Sequence, residues 1–271
     1  MTEHPQTATS GSDHQVGAAS LSQSLSQEDV LNWHLGPLAA FDTETTGTDP
    51  ESDRLVSAAL LRLDGTSGAM TPTTWLADPG VEIPQEATAI HGITTDHARA
   101  HGRPAAEVIG EILAALTEVA ARGVPLVVYN APYDLTLLER EARRHGHPSD
   151  VLTGGTLRVI DPLVIDKHLD RFRRGSRRLA DVCAHHGVAF DGQAHGAHAD
   201  ALAAARLAWR LAADNEELAA RPLEDLHAAQ ADWRAEQAAS FEAYLRRRDP
   251  DAVVERNWPL IPQDDLPNLE P

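Results

Sequence analysis

The chain contains a single cysteine, Cys183, and no uninterrupted apolar run of the roughly 18 residues that a membrane span requires. One cysteine cannot form an internal disulfide, which fits a reducing compartment. The first residues also lack the basic and then apolar stretch of a secretory signal. These absences argue against a secreted or membrane protein, and we expect a cytoplasmic protein with no membrane partner.

Basic residues are scarce as well: 23 Lys and Arg stand against 41 Asp and Glu, for a formal net charge of −18. Such a balance disfavours a nucleic-acid partner, because Lys and Arg supply most of the affinity for phosphates. The acidity is concentrated at the two ends of the chain, however, since residues 31–211 hold 23 acidic and 17 basic side chains. If four of these acids bind two divalent cations, the central region becomes nearly neutral. The charge therefore does not exclude a nucleic-acid substrate.

The length of 271 residues suits one catalytic domain with extensions. Residues 1–25 are rich in Ser, Gln and Thr with few large apolar side chains, which predicts a disordered N-terminal tail. We assign residues 26–213 to the catalytic domain and residues 214–271 to a C-terminal helical extension with a Pro-rich end. Within the extension, residues 222–248 predict a long amphipathic helix.

Hydrophobic patterning predicts the fold class. Three strand-like runs joined by short turns indicate an antiparallel meander: Leu38 to Phe41, Leu55 to Leu63 and Met70 to Leu76. Further along, helical periodicity alternates with two short buried strands over residues 125–129 and 156–160. A three-stranded meander plus parallel strands joined by helical crossovers predicts an α/β protein with a mixed five-stranded sheet flanked by helices.

Two carboxylates follow the first strand. Asp42 and Glu44 are two positions apart, and residues two apart in a strand share a face, so both side chains emerge together as half of a metal site. Gly47, a little further on, lacks a side chain and would let the backbone approach a ligand. Exposed strands often carry such acidic pairs, so this pattern needs support from elsewhere in the chain.

Two further acidic residues stand near the starts of helices. Asp134 follows the strand that ends at Tyr129, at the carboxyl edge of the sheet; alternatively, it only stabilises a helix N-terminus. Asp200 opens another helix, and a five-residue separation on a continuous helix is a rotation of about 140°, so His195 is predicted on a preceding loop. His198 competes with His195 as a proton acceptor. No thiolate pair accompanies the histidines, which disfavours a zinc site.

These three stretches resemble the motifs of the DEDDh exonucleases, a DnaQ-like family that includes the proofreading epsilon subunit of bacterial replicative DNA polymerase. The motifs are Phe41 to Gly47, Asn130 to Asp134 and His195 to Asp200, with the histidine typical of the DEDDh branch. Tyr129 departs from the epsilon subunit, which has histidine there. The resemblance implies an RNase H-like fold and a metal-dependent 3′→5′ exonuclease that hydrolyses phosphodiester bonds.

The resemblance also implies roles for the polar residues. The four carboxylates would be both catalytic and metal-binding, with Asp134 acting as a ligand or through a bound water: Asp42, Glu44, Asp134 and Asp200. His195 would be the general base. Oxygen ligands suit Mg²⁺ or Mn²⁺, and two such ions about 3.5–4 Å apart serve phosphodiester hydrolysis. We therefore expect two divalent cations as cofactors.

Substrate contacts are expected from two groups of residues. The resemblance implies that four residues contact the terminal nucleotide: Thr45, His91, Asn130 and Tyr133. His91 is predicted on a loop from Ile90 to Thr94. An Arg-rich stretch around Gly175 suits phosphate oxygens and predicts contacts by Arg174 and Arg177, although it could also be a solvated loop.

The expected partner is a single-stranded nucleic-acid 3′ end, with DNA favoured. An exoribonuclease or RNA-end trimmer is the main alternative, because contacts to one 2′-hydroxyl separate the two substrates. A catalytically inert nucleic-acid-binding module is disfavoured, because all four carboxylates and His195 are present. A homodimer is compatible with the sequence. Polymerase association is not favoured, because the C-terminal extension resembles a docked segment more than a flexible tether.

Overall fold

A computed structural model describes residues 32–65, 67–190 and 196–263. Its sheet begins with three antiparallel strands: β1 (Leu38–Thr45), β2 (Leu55–Leu63) and β3 (Met70–Asp78). The turn between β2 and β3 passes so close to the chain before β1 that a side chain at Gly65 would begin 2.2 Å from the Leu35 carbonyl oxygen. The predicted tail, residues 1–25, and His195 lie outside the described residues.

Three two-residue strands complete the sheet: β4 (Arg103–Pro104), β5 (Leu126–Val127) and β6 (Val159–Ile160). Each pairs in parallel with a neighbour, and the strand order is β4-β3-β2-β1-β5-β6. The predicted class, a mixed sheet made of a meander and parallel strands, is confirmed. Over the residues that the structure describes, the sheet has six strands rather than the predicted five, because the short β4 adds to the meander edge.

Helices cover both faces of the sheet. They are α1 (Gln85–His91), α2 (Thr95–His101), α3 (Ala105–Ala121), α4 (Ala131–Arg144), α5 (Asp150–Thr153), α6 (Pro162–Leu169), α7 (Leu179–His185), α8 (Ala197–Ala213), α9 (Glu216–Ala220) and α10 (Leu223–Leu245). Along β1, Phe41 packs with α3 and α4, whereas Ala40 packs with α8. This alternation is the two-residue period of a strand that is covered on both sides.

The predicted loop from Ile90 to Thr94 is shorter in the structure, because only Gly92 to Thr94 lie between two helices. His91 is the last residue of α1, Gly92 ends that helix with a φ of 76°, and Thr94 caps α2 by accepting a hydrogen bond from the His97 amide at 3.1 Å. Both helices have only seven residues, too few for a clear helical period. They pack through Ala87 and Ala98 on a small separate apolar cluster.

Helix α10 closes the open edge of the sheet. His227 accepts the Val159 amide at 3.0 Å, and Gln230 donates to the Val159 carbonyl at 3.0 Å while accepting the Asp161 amide at 2.7 Å. These side chains satisfy the outward backbone groups of β6, which would otherwise be exposed. No helix that the structure describes has both the length and the apolar content to cross a membrane.

The long helix predicted over residues 222–248 is present as α10 (Leu223–Leu245), but its buried face is not the one that the large apolar residues indicated. Leu226 and Ala238 are buried, but so are Gln230 and Glu242, whereas the aromatic side chains near the C-terminus are exposed. The pattern of large apolar residues does not identify the buried face of α10, because that face meets polar groups. Gln230 bonds to the backbone of β6, and Glu242 pairs with Arg246 and Arg256, so polar side chains are buried there.

Candidate active site

The C-terminal end of β1 carries three of the predicted site residues: Asp42, Glu44 and Thr45. Asp42 and Glu44 are half-buried and two positions apart, and Thr43 lies between them. On one side, β1 pairs with β2 along its whole length; on the other, its ladder with β5 stops at Ala40. The backbone beyond Ala40 therefore needs other partners on that side.

Asp134, in the first turn of α4, supplies this partner. Its Oδ1 accepts hydrogen bonds from the Thr43 amide at 3.1 Å and from the Thr43 hydroxyl at 2.6 Å. Asp134 is buried, with 4% of its surface exposed. The contact fixes the residue between Asp42 and Glu44, so Asp134 sets the position of the two neighbouring carboxylates.

Asp200 completes the cluster from the first turn of α8. Asp42, Glu44 and Asp200 each offer one carboxylate oxygen, and these atoms all lie within 4.8 Å of one another. Asp134 is outside this group, although its charge acts on Asp42. The structure thus brings together residues that are far apart in the sequence, and its all-oxygen donor set fits Mg²⁺ or Mn²⁺.

The carboxylates oppose one another's ionisation. Burial raises the pKa of Asp42 well above its usual range, and the charges of Asp134, Asp200 and Glu44 raise it further. Burial and then the charges of Asp200 and Asp134 raise the pKa of Glu44 to about 7. Burial raises the pKa of Asp134 to about 7, against the opposing effect of the Thr43 hydrogen bonds. Divalent cations would offset this repulsion, so the residues fit such ions.

A strained turn positions Asp134 and is held by Asp161. Asn130 has left-handed backbone angles, φ 62° and ψ 49°, immediately before α4. The fully buried Asp161 carboxylate accepts hydrogen bonds from the amides of Asn130 and Ala131, each at 3.0 Å. The structure thus gives Asn130 a backbone role. The sequence signal for Asp161 was its place before Pro162, typical of a helix N-cap.

Asp161 also joins this turn to the C-terminal segment. It accepts the Leu163 amide at 3.0 Å and the indole N–H of Trp258 at 3.2 Å. Burial raises the pKa of Asp161. The hydrogen bonds from the Leu163 amide and Trp258, together with those from the Asn130 and Ala131 amides, oppose that effect. Each donor lost would leave more of a buried carboxylate unsatisfied.

Trp258→Phe is expected to destabilise the fold by about 1–3 kcal/mol, because it keeps an aromatic ring but removes one donor to a buried carboxylate. Urea unfolding followed by circular dichroism measures the change. Trp209→Phe is the matched control, because Trp209 is 45% exposed and should tolerate the change. Equal effects of the two substitutions would contradict this role of Trp258.

Several predicted substrate contacts lie next to Glu44. The Tyr133 hydroxyl donates to the Gly47 carbonyl at 2.6 Å and also lies 2.6 Å from the Thr45 hydroxyl. Burial raises the pKa of Tyr133, which keeps its hydroxyl protonated. Burial lowers the pKa of His91, more than the Thr45 backbone carbonyl raises it, which favours the neutral imidazole. The structure thus places two hydroxyls and an imidazole near the end of β1.

Gly47 lies against a side chain of its own loop. A side chain there would begin 2.5 Å from a carboxylate oxygen of Asp53. Asp53 uses its carboxylate to hold the Thr46 hydroxyl and the Asp49 amide, both at 2.8 Å. The glycine therefore makes room for the loop's own carboxylate, which shapes the end of β1.

The arginine-rich loop is partly engaged in internal contacts. Arg177 forms an ion pair with buried Asp166 and donates to the Asp170 carbonyl at 2.6 Å, whereas Arg174 is exposed. Tyr129, the departure from the epsilon subunit, donates its hydroxyl to the Arg177 carbonyl at 2.5 Å. This bond ties the loop to the end of β5. His198 is half-buried in the first turn of α8.

Comparison with known proteins identifies the family of the chain. The RNase T family model, described as Exonuclease, matches residues 39–208. The uncharacterized exonuclease CP81 of Escherichia phage 186 is 32% identical over 168 residues, which are 59% of this chain and 79% of that protein. A DNA polymerase III subunit epsilon-like protein of Rhodobacter capsulatus is 39% identical over 103 residues, 37% of this chain.

Solved structures of exonuclease I have the same fold. One matches with a TM-score of 0.58 and 21% identity, covering 76% of this chain and 46% of the other. E. coli exonuclease I in complex with a dT13 oligonucleotide matches with a TM-score of 0.53 and 23% identity, covering 64% and 40%. The match spans only 14% of the Rhodobacter protein. The family model covers most of this chain and includes Asp42, Glu44, Asp134 and Asp200, and the chain therefore belongs to the exonuclease family.

Proposed function

We propose that the protein is a metal-dependent 3′→5′ exonuclease that hydrolyses phosphodiester bonds at nucleic-acid 3′ ends, with DNA as the preferred substrate. The observation that carries the proposal is the convergence of Asp42, Glu44 and Asp200, whose ligand atoms lie within 4.8 Å of one another. Buried like charges are costly to keep together, and a cluster of this kind is typical of a site that binds cations.

Asp42, Glu44 and Asp200 would hold two divalent cations, Mg²⁺ or Mn²⁺. When bound, such ions supply a nucleophile at neutral pH and neutralise charge on the leaving 3′-oxygen. Asp134 keeps Thr43 in place through two hydrogen bonds and thereby fixes the spacing of Asp42 and Glu44. We assign to Asp134 this positioning role together with a contact through a bound water.

His195 is the proposed general base, which accepts the proton of the attacking water. The family resemblance supports this role, as does its place five residues before Asp200. An imidazole with an ordinary pKa of about 6.5 is mostly neutral at physiological pH and can accept a proton there. Thr45, His91 and Tyr133 are the proposed contacts to the terminal nucleotide. Thr45 directly follows Glu44, and both His91 and Tyr133 contact Thr45.

The proposed substrate is a single-stranded 3′ end. The dT13 complex of exonuclease I, which shares the fold, supports this choice. We favour a free-standing enzyme over a polymerase-bound subunit because the C-terminal extension docks on its own domain. Gln230 and Trp258 hydrogen-bond to the backbone and side chain of Asp161, and the Ile261 amide donates to Thr136 Oγ1 at 2.9 Å.

Digestion of 5′-labelled 20-mers of DNA and RNA, single- and double-stranded, tests the proposal. We expect single-stranded DNA to shorten stepwise from the 3′ end in Mg²⁺ or Mn²⁺ and to stay intact in EDTA. A DNA 20-mer with a blocked 3′ end is the matched control and should resist. Immediate release of the 5′ label as a mononucleotide, internal cleavage, or full activity in EDTA would contradict it. Faster loss of RNA would identify an exoribonuclease instead.

A further inference from the structure

A cleft of about 490 Å³ lies between the loop that follows α6 and helix α10, within the range of about 300–1,000 Å³ usual for ligand sites. Among the described residues that line it, none is acidic and five are cationic: Lys167, Arg171, Arg173, Arg177 and Arg234. The chain as a whole carries a net charge of −18, so this concentration of positive charge is unusual for its surface. We call it the basic cleft.

A single buried carboxylate underlies the basic cleft. Asp166 pairs with Arg173 at 3.1 Å and with Arg177, and it lies 2.9 Å from His186 Nε2. Burial acts to raise the pKa of Asp166, but hydrogen bonds from His186, Arg177 and Arg173 outweigh it and hold the pKa below its usual value. One negative charge fixes two guanidinium groups in place, so the lining keeps an excess of positive charge.

The cations of the basic cleft lie partly buried and close to one another. Burial lowers the pKa of half-buried Lys167, and the nearby Arg234 lowers it further. Hydrogen-bonding capacity is also unused: among the described residues, Arg173 Nε, Arg234 Nε and Gln237 Oε1 are buried without a hydrogen-bond partner. The Arg173 side chain is only 10% exposed. An anionic ligand with donors and acceptors would offset both costs.

Aromatic side chains accompany the cations. Phe172 is 85% exposed, and Phe241 and Tyr244 are exposed on the last turns of α10. The Arg171 guanidinium lies 5.6 Å from the centre of the Phe172 ring. Exposed rings beside cations are typical of single-stranded nucleic-acid binding, because bases stack on the rings while arginines contact the phosphates. An acidic peptide would use the charge but leave most of the ring surface uncovered.

We propose that the basic cleft binds a stretch of single-stranded nucleic acid upstream of the 3′ end that is cleaved, as a second contact for the substrate strand. The inference rests on the proposed exonuclease function and adds a strand-holding site to it. Tyr129 links the basic cleft to the active site. Its hydroxyl donates to the Arg177 carbonyl, and the residue directly precedes Asn130 of the second motif. Affinity and KM should therefore depend on oligonucleotide length.

Fluorescence anisotropy of a labelled dT20 oligonucleotide in EDTA tests the basic cleft without turnover, with Asp42→Asn as the background. The paired change Phe241→Ala and Tyr244→Ala should weaken binding about 10-fold or more, with little change in salt dependence. Arg171→Gln should instead reduce the slope of log affinity against log salt by about 0.7, the value for one phosphate contact on a single strand. In the active protein, the same changes should raise the ratio of KM for dT20 to KM for a trinucleotide.

Arg206→Gln and Trp209→Ala are the matched controls, because both residues are exposed on α8 outside the basic cleft. Unchanged dT20 binding in every cleft variant would overturn the inference even if the wild type digests DNA. Competition by a 20-residue polyglutamate peptide as effective as that by unlabelled dT20 would also overturn it, since the cleft would then recognise charge alone. Absence of turnover in the wild type would refute the exonuclease function and leave the binding result to decide the cleft.

Discussion

Asp42→Asn is expected to lower kcat/KM on a single-stranded DNA 20-mer at least about 100-fold in Mg²⁺, because metal-supplied charge stabilisation is worth several kcal/mol and each 1.36 kcal/mol is tenfold. The same substitution should make the metal-free protein more stable. Burial and the charges of Asp134, Asp200 and Glu44 raise the pKa of Asp42, so the folded state disfavours its ionised form. Asparagine keeps the shape and removes the charge.

The pH dependence gives the sign of this stability effect. The unfolded chain ionises these acids at their ordinary pKa of about 4, whereas the folded state does so at higher pH; for Glu44 and Asp134 the folded pKa is about 7. Stability contributed by the protonated cluster is therefore present below pH about 4 and is lost as the pH rises through about 7. Because the folded pKa of Asp42 is also raised, the Tm advantage of Asp42→Asn in EDTA should grow as the pH rises above about 4 and disappear when Mg²⁺ is added.

Asp232→Asn is the matched control, because Asp232 is an exposed aspartate on α10. Thermal unfolding in EDTA at several pH values and steady-state rates in Mg²⁺ provide the two measurements. Wild-type rates in Asp42→Asn would show that this carboxylate is dispensable. A metal-free Tm below that of the wild type at pH 8 would contradict the described repulsion.

His195→Ala is expected to lower kcat about 100-fold or more, the usual effect of losing a general base, while Mg²⁺ affinity stays unchanged. The Mg²⁺ affinity should not change, because the proposed role of His195 is to accept a proton and not to bind the metal ions. At saturating Mg²⁺, which keeps the carboxylates ionised, the wild-type rate should still fall at acid pH as the general base becomes protonated, and the variant should lose that part of the decline. Stopped-time digestion across pH and calorimetry of Mg²⁺ binding measure the two quantities.

His198→Ala separates the two candidate bases. His198 is half-buried in the first turn of α8, three residues after His195. We expect this variant to retain most of the wild-type rate. A larger loss in His198→Ala than in His195→Ala would reverse the assignment, and lost Mg²⁺ binding in His195→Ala would make that histidine a ligand.

The sequence named four carboxylates, of which the structure brings three together, but it did not show what holds them. Strand periodicity places Asp42 and Glu44 on one face, whereas Asp200 was joined to them only by the family resemblance. The bonds from Thr43 to Asp134 could not be predicted, because they depend on where the ladder between β1 and β5 stops. Patterns among neighbouring residues carry no information about the length of the ladder between β1 and β5.

Long-range polar partners explain the other differences. Arg177 was predicted as a phosphate contact, yet it also pairs with Asp166, eleven positions earlier. The exposure of Phe241 and Tyr244 depends on which side of α10 faces the sheet, and Gln230 decides this by bonding to the edge of β6. The spacing of apolar residues therefore does not predict which face of α10 is buried, because Gln230 determines it.

The four hydrogen bonds accepted by Asp161 bear on how the chain unfolds. The family match ends at residue 208, whereas the donors to Asp161 include Trp258, and Gln230 binds its backbone amide. The turn that carries the second motif is thus held by residues beyond those that the family model matches. The catalytic domain and the C-terminal extension should melt in a single cooperative transition, and a protein cut back to the matched residues would lack part of its own core.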